Sequence, residues 1–186
     1  MEGHRPRCPH SIAINQNLFN KKIVPSNDTK NENPRRKRPA HHPPITRFNC
    51  SILIFVTICT QSRRASLANP TALEAFRKTF AKTDRWIVGK FMLMPDHVHF
   101  FCSPAQDPPM PLKNWISHWK RIFTMNIRKT NSLFMWQRDF WDTQMRSGES
   151  YSAKWNYVRE NPVRAGLVSE PNDWLYQGEL SQLSFS

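Results

Sequence analysis

Two apolar runs separated by a short turn constrain the fold of this chain more than any other feature of its sequence. The first run extends from Trp86 to Met94, the turn is Pro95-Asp96, and the second run extends from His97 to Cys102. Strand-forming runs of this length on either side of a turn are typical of a β-hairpin. We therefore predict an antiparallel pair of strands over residues 86–102.

The flanking segments predict two further strands and three helices in alternation with the hairpin. Their predicted bounds are a strand at Ser51–Cys59, a helix from Pro70 to about Lys82, a helix from Leu112 to about Thr130, a strand at Trp136–Met145, and a helix that begins at Ser147 or Ser150 and ends near Asn161. Asn69-Pro70 supplies the N-cap and the N1 proline of the first helix, and Pro162 is expected to stop the last. This order of elements predicts an α+β sandwich with an antiparallel sheet.

Charge and composition narrow the class of protein. The 186 residues suffice for one domain, and 27 Lys and Arg against 14 Asp and Glu give a formal charge of +13, which favours a polyanionic partner. The longest apolar run has seven residues, whereas a membrane-spanning helix needs about 20, and the N-terminus lacks an apolar signal region. The four widely spaced cysteines indicate reduced thiols in a cytoplasmic protein. These features argue against a secreted disulfide scaffold, an integral membrane protein and an acidic activation domain.

Residues 1–44 differ in composition from the rest of the chain. They contain seven prolines, and nine Lys or Arg against three Asp or Glu leave the segment at +6. With so little apolar surface to bury, we predict this basic extension to be disordered. Its basic run, Arg35–Arg38, is interpreted either as a nonspecific phosphate-binding arm or as a solvated tail. We assign residues 45–186 to the folded domain, with a weakly patterned tail from Ser169.

The second strand of the hairpin begins with His97-Val98-His99. Residues i and i+2 of a strand point to the same face, so the two imidazoles are expected to project together while Val98 faces the other side. Two adjacent imidazoles are half of a divalent-metal site. Surface histidines without a metal explain the same pattern.

The last predicted helix carries a second candidate group of side chains. Tyr157 and Asn161 are spaced i, i+4 with Lys154 beside them, away from the apolar stripe of the helix, which is formed by Tyr151, Trp155 and Val158. A Tyr hydroxyl and an amide oxygen are thus expected one turn apart. A core aromatic at Tyr157 and an ordinary helix-ending asparagine before Pro162 are the alternatives.

The helix from Leu112 has one apolar arc and one basic, polar arc. Lys113, Lys120, Arg121 and Arg128 fall on the basic arc, where they are candidates, with Lys154, for binding a nucleic-acid backbone. An ordinary solvated helix face is the alternative. Together the three groups suit phosphodiester chemistry: a cation on His97, His99 and Asn161 acting as Lewis acid, a Tyr157 nucleophile, and basic residues on the phosphates.

Three segments carry a resemblance to a known family. Met94-Pro95-Asp96-His97-Val98-His99-Phe100 resembles the MPNHVH signature of the HUH single-tyrosine transposases, and the segment Trp136–Asp142 is similar to their later strand. Residues 157–168, beginning Tyr157-Val158-Arg159-Glu160-Asn161-Pro162, resemble the YIxxNPVxAGLV signature of the REP-associated tyrosine transposases. The resemblance spans about residues 45–168, and position 96 departs from it, since this chain has Asp where the family usually has Asn.

The resemblance implies a ferredoxin-like α+β sandwich that cleaves single-stranded DNA. It implies Mg²⁺ or Mn²⁺ on His97 and His99, Asn161 as the third ligand, and Tyr157 as the nucleophile that forms a 5′-phosphotyrosine and leaves a free 3′-OH. The imidazoles alone would also suit Zn²⁺. Single-stranded or hairpin DNA is the expected partner, in a monomer or a homodimer, in the cytoplasm with nucleoid association when bound to DNA.

Two other functions are consistent with the same residues. One is a catalytically silent protein, derived from such a transposase, that binds DNA hairpins without turnover. The other is a His-ligated metallohydrolase that uses water as its nucleophile, which leaves Tyr157 without a role.

Overall fold

The antiparallel sheet of this protein is centred on the strand rich in β-branched residues and on the histidine strand. The computed structural model describes residues 41, 43–45, 51–128 and 130–184. Its strands are β1 (Ile54–Cys59), β2 (Trp86–Leu93), β3 (His97–Pro104), β4 (Trp141–Gln144) and β5 (Gln177–Glu179). Strands β2 and β3 form the predicted hairpin, and β1 pairs with β3 so that Cys59 faces His97 and Thr57 faces His99.

The helices connect strands that are not neighbours in the sheet. The strand order is β4-β1-β3-β2-β5, with helix α1 (Pro70–Phe80) between β1 and β2 and helix α2 (Leu112–Ile127) between β3 and β4. Two β-α-β crossovers that interleave in this way are the ferredoxin-like arrangement, here extended by the edge strand β5. The predicted α+β fold is confirmed.

An aromatic core fills the space between α1, α2 and one face of the sheet. Phe80 of α1 stacks on Trp119 of α2 with ring centroids 5.0 Å apart, and both contact Phe100 of β3. The apolar arc predicted for α2 is buried along its whole length, from Leu112 to Ile127. Aromatic side chains bury a large apolar area each, and this packing commits one face of the sheet to the core.

Helix α3 (Gly148–Arg159) covers the opposite face of the sheet. Tyr151 and Trp155 of α3 contact the ring of Phe101 on β3, at centroid distances of 4.6 and 6.4 Å, and Val158 packs with Met92 of β2 and with Met94 just after it. Since side chains alternate along a strand, His97 and His99 share the face of Phe101. The histidines therefore lie on the side of the sheet that α3 covers.

The fourth strand is shorter than the sequence predicts. We expected it to begin at Trp136, but β4 begins at Trp141, and Trp136 makes only an isolated bridge to Thr60. The Nζ of Lys120 accounts for this, because it donates hydrogen bonds to the carbonyl oxygens of residues 137, 138 and 139 at 3.0–3.2 Å. Those carbonyl groups are turned toward α2 and not toward a neighbouring strand.

The last helix also ends differently from the prediction. Helix α3 ends at Arg159 and a second, short helix, α4 (Asn161–Arg164), follows at once. Pro162 lies in the first turn of α4, where its missing N–H is not needed. Gly166, with φ +66°, ends α4, and the amides of Gly166 and Leu167 donate to the carbonyl oxygens of Val163 and Pro162, which is a Schellman motif.

The weakly patterned tail contributes to the sheet. Strand β5 pairs with β2, and the indole N–H of Trp174 donates to the carbonyl oxygen of Leu93 at 3.0 Å. Among the described residues, Cys59 and Cys102 are free thiols. None of the described helices is long and apolar enough to span a membrane.

The predicted disordered extension, residues 1–44, lies outside the described residues except for His41, Pro43 and Pro44. The His41 ring stacks on Phe140 at 4.0 Å and its Nδ1 pairs with the carboxylate of Asp142. Ile45 exchanges two backbone hydrogen bonds with the side-chain amide of Gln144. This short segment thus lies along β4.

A capping box at the start of α3 predicts a measurable loss of stability. The Ser147 side chain accepts from the Ser150 amide and the Ser150 side chain accepts from the Ser147 amide, both at 3.1 Å. Ser147→Ala should lower the free energy of unfolding by about 1 kcal/mol, measured as a lower urea midpoint at constant m-value. Ser152→Ala, an exposed position within α3, is the control, and an equal effect of both changes would contradict the capping role.

Candidate active site

Strand β3 brings the two imidazoles of the HxH motif into direct contact. The Nε2 atoms of His97 and His99 are 3.0 Å apart, and the rings are nearly perpendicular, at 81° with centroids 4.6 Å apart. Both side chains are partly buried. The structure therefore brings together the two residues that the i, i+2 spacing predicted to share a face.

Each imidazole is held through its other nitrogen. The Nδ1 of His97 is 2.6 Å from Oδ1 of Asp96, and the Nδ1 of His99 is 2.8 Å from the hydroxyl oxygen of Thr57. A carboxylate only accepts, so His97 carries its proton on Nδ1 and, when neutral, presents a lone pair at Nε2. The Thr57 hydroxyl both donates and accepts, which allows His99 either tautomer.

This donor set fits a divalent cation. With His99 protonated on Nε2, that N–H satisfies the lone pair of His97. With His99 protonated on Nδ1, two lone pairs converge on one point, which requires a cation between them. An oxygen partner on the far nitrogen is the usual outer-shell arrangement of a metal-binding histidine. Within the described residues, however, no three His, Cys, Asp or Glu side chains are grouped to hold a metal.

The environment keeps His99 neutral. Burial, followed by the positive charges of His97, Arg63 and Lys154, lowers the pKa of His99 to about 3. Desolvation penalises the charged imidazolium. At neutral pH a proton therefore does not compete for the ring, and His99 is available as a neutral ligand.

Asp96 is itself paired with a residue that sequence reasoning missed. The Nε of Arg63 lies 3.2 Å from Oδ2 of Asp96, and its Nη1 contacts the Sγ of Cys59 at 2.9 Å. Partial burial works to raise the pKa of Asp96, but the hydrogen bond and charge of His97 and the charge of Arg63 lower it overall. The extra carboxylate that distinguishes position 96 thus has a cation on one oxygen and an imidazole on the other.

Tyr157 lies on the same side of the sheet as the histidines. Its side chain is 61% exposed, so it is not the core aromatic considered as an alternative. The Nζ of Lys154 lies 5.8 Å from the Tyr157 ring and 5.4 Å from the Phe55 ring. The Phe55 ring in turn stacks on His99 at 5.3 Å. Lys154 thus lies between the phenol and the imidazole pair.

Asn161 is held by an arginine three residues later. Its Oδ1 accepts from Nη2 of Arg164, which also donates to the Tyr157 carbonyl oxygen at 2.6 Å. The guanidinium carbon of Arg164 lies 4.2 Å from the centroid of the Tyr157 ring. The amide oxygen predicted as a third metal ligand is therefore bound by Arg164. Sequence reasoning did not identify Arg164 as a site residue. Its only signal in the sequence is the variable position of the NPVxAGLV pattern, which does not show what the side chain contacts.

The basic residues predicted on α2 lie on the other side of the sheet from Tyr157. Lys113 and Arg121 are exposed on the outer face of α2, and Arg128, which follows its last residue, is exposed as well. Lys120 does not share that face as predicted: burial lowers the pKa of its amine to about 8, and Nζ donates to three carbonyl oxygens. Of the five predicted phosphate-binding residues, only Lys154 lies beside the phenol.

Comparison with known proteins agrees with this geometry. Residues 48–160 match the family model described as "Transposase IS200 like". The chain belongs to the IS200-like transposase family. Its relatives include the REP-associated tyrosine transposase of Escherichia coli (strain K12), which is 25% identical over 124 residues, 64% of this chain and 72% of that protein.

A second curated relative and a solved structure are also similar to this chain. A Haemophilus influenzae protein, whose name also refers to REP-associated tyrosine transposases, is 27% identical over 139 residues, 67% of this chain and 77% of that protein. A solved REP-associated tyrosine transposase bound to a REP hairpin matches with a TM-score of 0.58 and 22% identity, covering 73% of this chain and 82% of the other. The second match shows the shared fold.

The neutral state of His99 in this transposase-family protein predicts an acid-dependent loss of stability. Because the folded-state pKa is about 3 and that of an unfolded histidine is about 6.5, the unfolded chain binds the proton first as the pH falls. Stability should therefore fall below about pH 6.5, by up to about 1.4 kcal/mol per pH unit. Urea titrations in EDTA between about pH 6.5 and 4.5 measure this.

The matched variants are His99→Gln and His118→Gln. The first should flatten the pH dependence, because glutamine does not titrate. The second changes an exposed histidine of α2, and the free energy of unfolding should then depend on pH as it does in the wild-type protein. Parallel pH profiles for the wild type and His99→Gln would show that this site does not supply the effect.

Proposed function

We propose that this transposase-family protein cleaves and rejoins single-stranded DNA through Tyr157, with a divalent cation held by His97 and His99. The observation that carries the proposal is the contact of the two Nε2 atoms at 3.0 Å, with each Nδ1 bonded to an oxygen. Two surface histidines without a function would not be expected to have both Nδ1 atoms hydrogen-bonded and both Nε2 atoms in contact. Membership of the IS200-like family supports DNA as the substrate.

His97 and His99 would hold Mg²⁺ or Mn²⁺ through Nε2, and Asn161 is the candidate third ligand. When bound, the cation would neutralise charge on the phosphate oxygens and act as a Lewis acid. The choice of these metals over Zn²⁺ follows the family and not the two imidazoles, which suit all three. Asp96 and Thr57 would keep the rings oriented.

Tyr157 would supply the nucleophile. Its Oη gives up its proton and attacks the phosphorus, the bond from phosphorus to O3′ breaks, and the departing O3′ takes up a proton to become a free 3′-OH. The product is a 5′-phosphotyrosine, and attack on it by another 3′-OH restores the phenol and joins the strands. Lys154 and Arg164 flank the ring and would offset negative charge as the phosphate approaches.

Hairpin-bearing DNA is the proposed substrate. One relative of similar fold was solved bound to a REP hairpin, and the E. coli relative is a REP-associated tyrosine transposase. A hairpin beside a single-stranded stretch offers a duplex backbone for positioning and an accessible phosphodiester for attack.

Loss of the Tyr157 hydroxyl should abolish the covalent protein–DNA product. The assay incubates the full chain and Mn²⁺ with a labelled oligonucleotide that carries a hairpin and single-stranded flanks, followed by a denaturing gel. Tyr157→Phe should eliminate the adduct, while Tyr176→Phe should retain it, since Tyr176 packs against Trp174 and is not on the helix that carries Tyr157. EDTA should also remove the adduct from the wild type.

Two results of that assay would replace the proposal. Binding of the hairpin with no adduct in the wild type at any Mg²⁺ or Mn²⁺ concentration would favour a catalytically silent hairpin-binding protein. Cleavage that persists in Tyr157→Phe would indicate that water is the nucleophile.

His97→Ala should separate catalysis from binding. We expect cleavage to be lost, whereas most of the DNA affinity should remain because phosphate contacts elsewhere supply most of it. Gel-shift titration in EDTA measures the affinity, and His118→Ala on α2 is the control. A proportionate loss of binding and cleavage would mean that His97 acts mainly in holding DNA or the fold.

A further inference from the structure

Arg164 links the proposed nucleophile and the proposed third ligand. Its Nη2 donates to Asn161 Oδ1 and to the Tyr157 carbonyl oxygen, and its guanidinium group stacks on the Tyr157 ring at 4.2 Å. The side chain is exposed. It therefore holds both functional residues of the α3–α4 junction while remaining accessible to a ligand from solvent.

The present partners of Arg164 are weaker than those a DNA strand would offer. Both hydrogen-bond acceptors of its Nη2 are neutral amide oxygens. A phosphodiester presents two oxygens that share a full negative charge, and a guanidinium fork binds such a pair with two parallel charge-assisted hydrogen bonds. A phosphate reaching Tyr157 would thus compete directly with Asn161 for Arg164.

We propose that Arg164 binds the DNA phosphate at Tyr157 and that this exchange releases Asn161 to complete the metal site. Without DNA, Arg164 occupies the amide oxygen and the cation has only His97 and His99 from the protein. With DNA, the oxygen becomes free. The inference rests on the proposed function, in which His97, His99 and Asn161 hold the metal and a DNA phosphate reaches Tyr157.

The exchange couples DNA and metal affinity. If DNA releases a metal ligand, it raises the affinity for the metal by some factor, and the metal must raise the affinity for DNA by the same factor. Couplings between sites are typically about 5- to 150-fold. This reciprocity is measurable without any cleavage.

The first test measures Mn²⁺ affinity of the DNA-free protein by electron paramagnetic resonance. Arg164→Met keeps an unbranched stem against Tyr157 but removes the donors, and we expect it to bind Mn²⁺ several-fold more tightly than the wild type. Arg159→Met is the matched control. Arg159 is on the same helix as Tyr157, but it donates to the side chain of Asn172 and not to Asn161. It should change Mn²⁺ affinity little.

A double-mutant cycle separates ligand release from simple loss of positive charge. In an Asn161→Ala background, Arg164→Met should no longer tighten Mn²⁺ binding, because there is no amide oxygen to free. A gain of equal size in both backgrounds would mean that Arg164 acts through its charge alone, and would overturn the proposal.

The second test adds DNA in the Tyr157→Phe background, which keeps the ring but prevents a covalent product. A 20-nucleotide oligo(dT) should tighten Mn²⁺ binding by about 5-fold or more, and it should have little effect when Arg164→Met is added. Equal stimulation of both proteins by the oligonucleotide would contradict the exchange. Urea unfolding confirms that each variant is folded, and Arg164→Ala replaces Arg164→Met if that variant is unstable.

The outcomes distinguish this proposal from the proposed function. Unchanged or weaker Mn²⁺ binding in a folded Arg164→Met protein, together with a Tyr157-dependent adduct in the wild type, would reject the exchange and retain the nuclease. Absence of both Mn²⁺ binding and adduct in the wild type would reject both.

Discussion

The close contact of two imidazoles on β3 is the interaction on which the site depends. At 3.0 Å, the facing Nε2 atoms of His97 and His99 require either a shared hydrogen or a shared cation, because two lone pairs directed at one another repel. Asp96 fixes the proton of His97 on the far nitrogen, while Thr57 accepts or donates as His99 requires. The pair can therefore share either a hydrogen or a cation, and only His99 must change its tautomer between these two states.

The contact is possible because the two faces of the sheet have different roles. On one face Val98 and Phe100 join the aromatic core beneath α1 and α2, which fixes the position of β3. On the other face, α3 packs through Tyr151, Trp155 and Val158. These contacts lie further along the sheet, so the start of β3 can carry imidazoles on this face. Replacing a core residue of β3 would therefore displace His97 and His99 as well as reduce stability.

Periodicity in the sequence was sufficient to predict the features that depend on one segment. The i, i+2 spacing predicted the shared face of His97 and His99, and the buried arc of α2 followed from its 3.6-residue period. The family resemblance implied the ferredoxin-like fold. Each of these follows from local geometry or from a motif, which a single chain displays directly.

Contacts between distant segments were not predictable in this way. Lys120 follows the same helical period as Arg121, yet its amine is bound by carbonyl groups of a loop that begins 17 residues later. Arg63 precedes Asp96 by 33 residues and has no pattern that marks it as a partner. Strand β5 lacks alternation because it is a three-residue edge strand. Only the tertiary structure brings these groups together.

The basic side chains proposed to bind DNA lie in two groups on opposite sides of the sheet. Lys113, Arg121 and Arg128 are separated from Tyr157 by the sheet and by the α2 layer. One helix diameter of about 10 Å already exceeds the Debye length of about 8 Å at physiological salt. Their charge is therefore largely screened at the phenol. Lys154 and Arg164, which contact the Tyr157 ring, are the cations placed to act on a phosphate there, so the net charge of the chain says little about the site. Under the proposed function, these two groups of basic residues on opposite sides of the sheet would allow DNA affinity and catalysis to be changed independently.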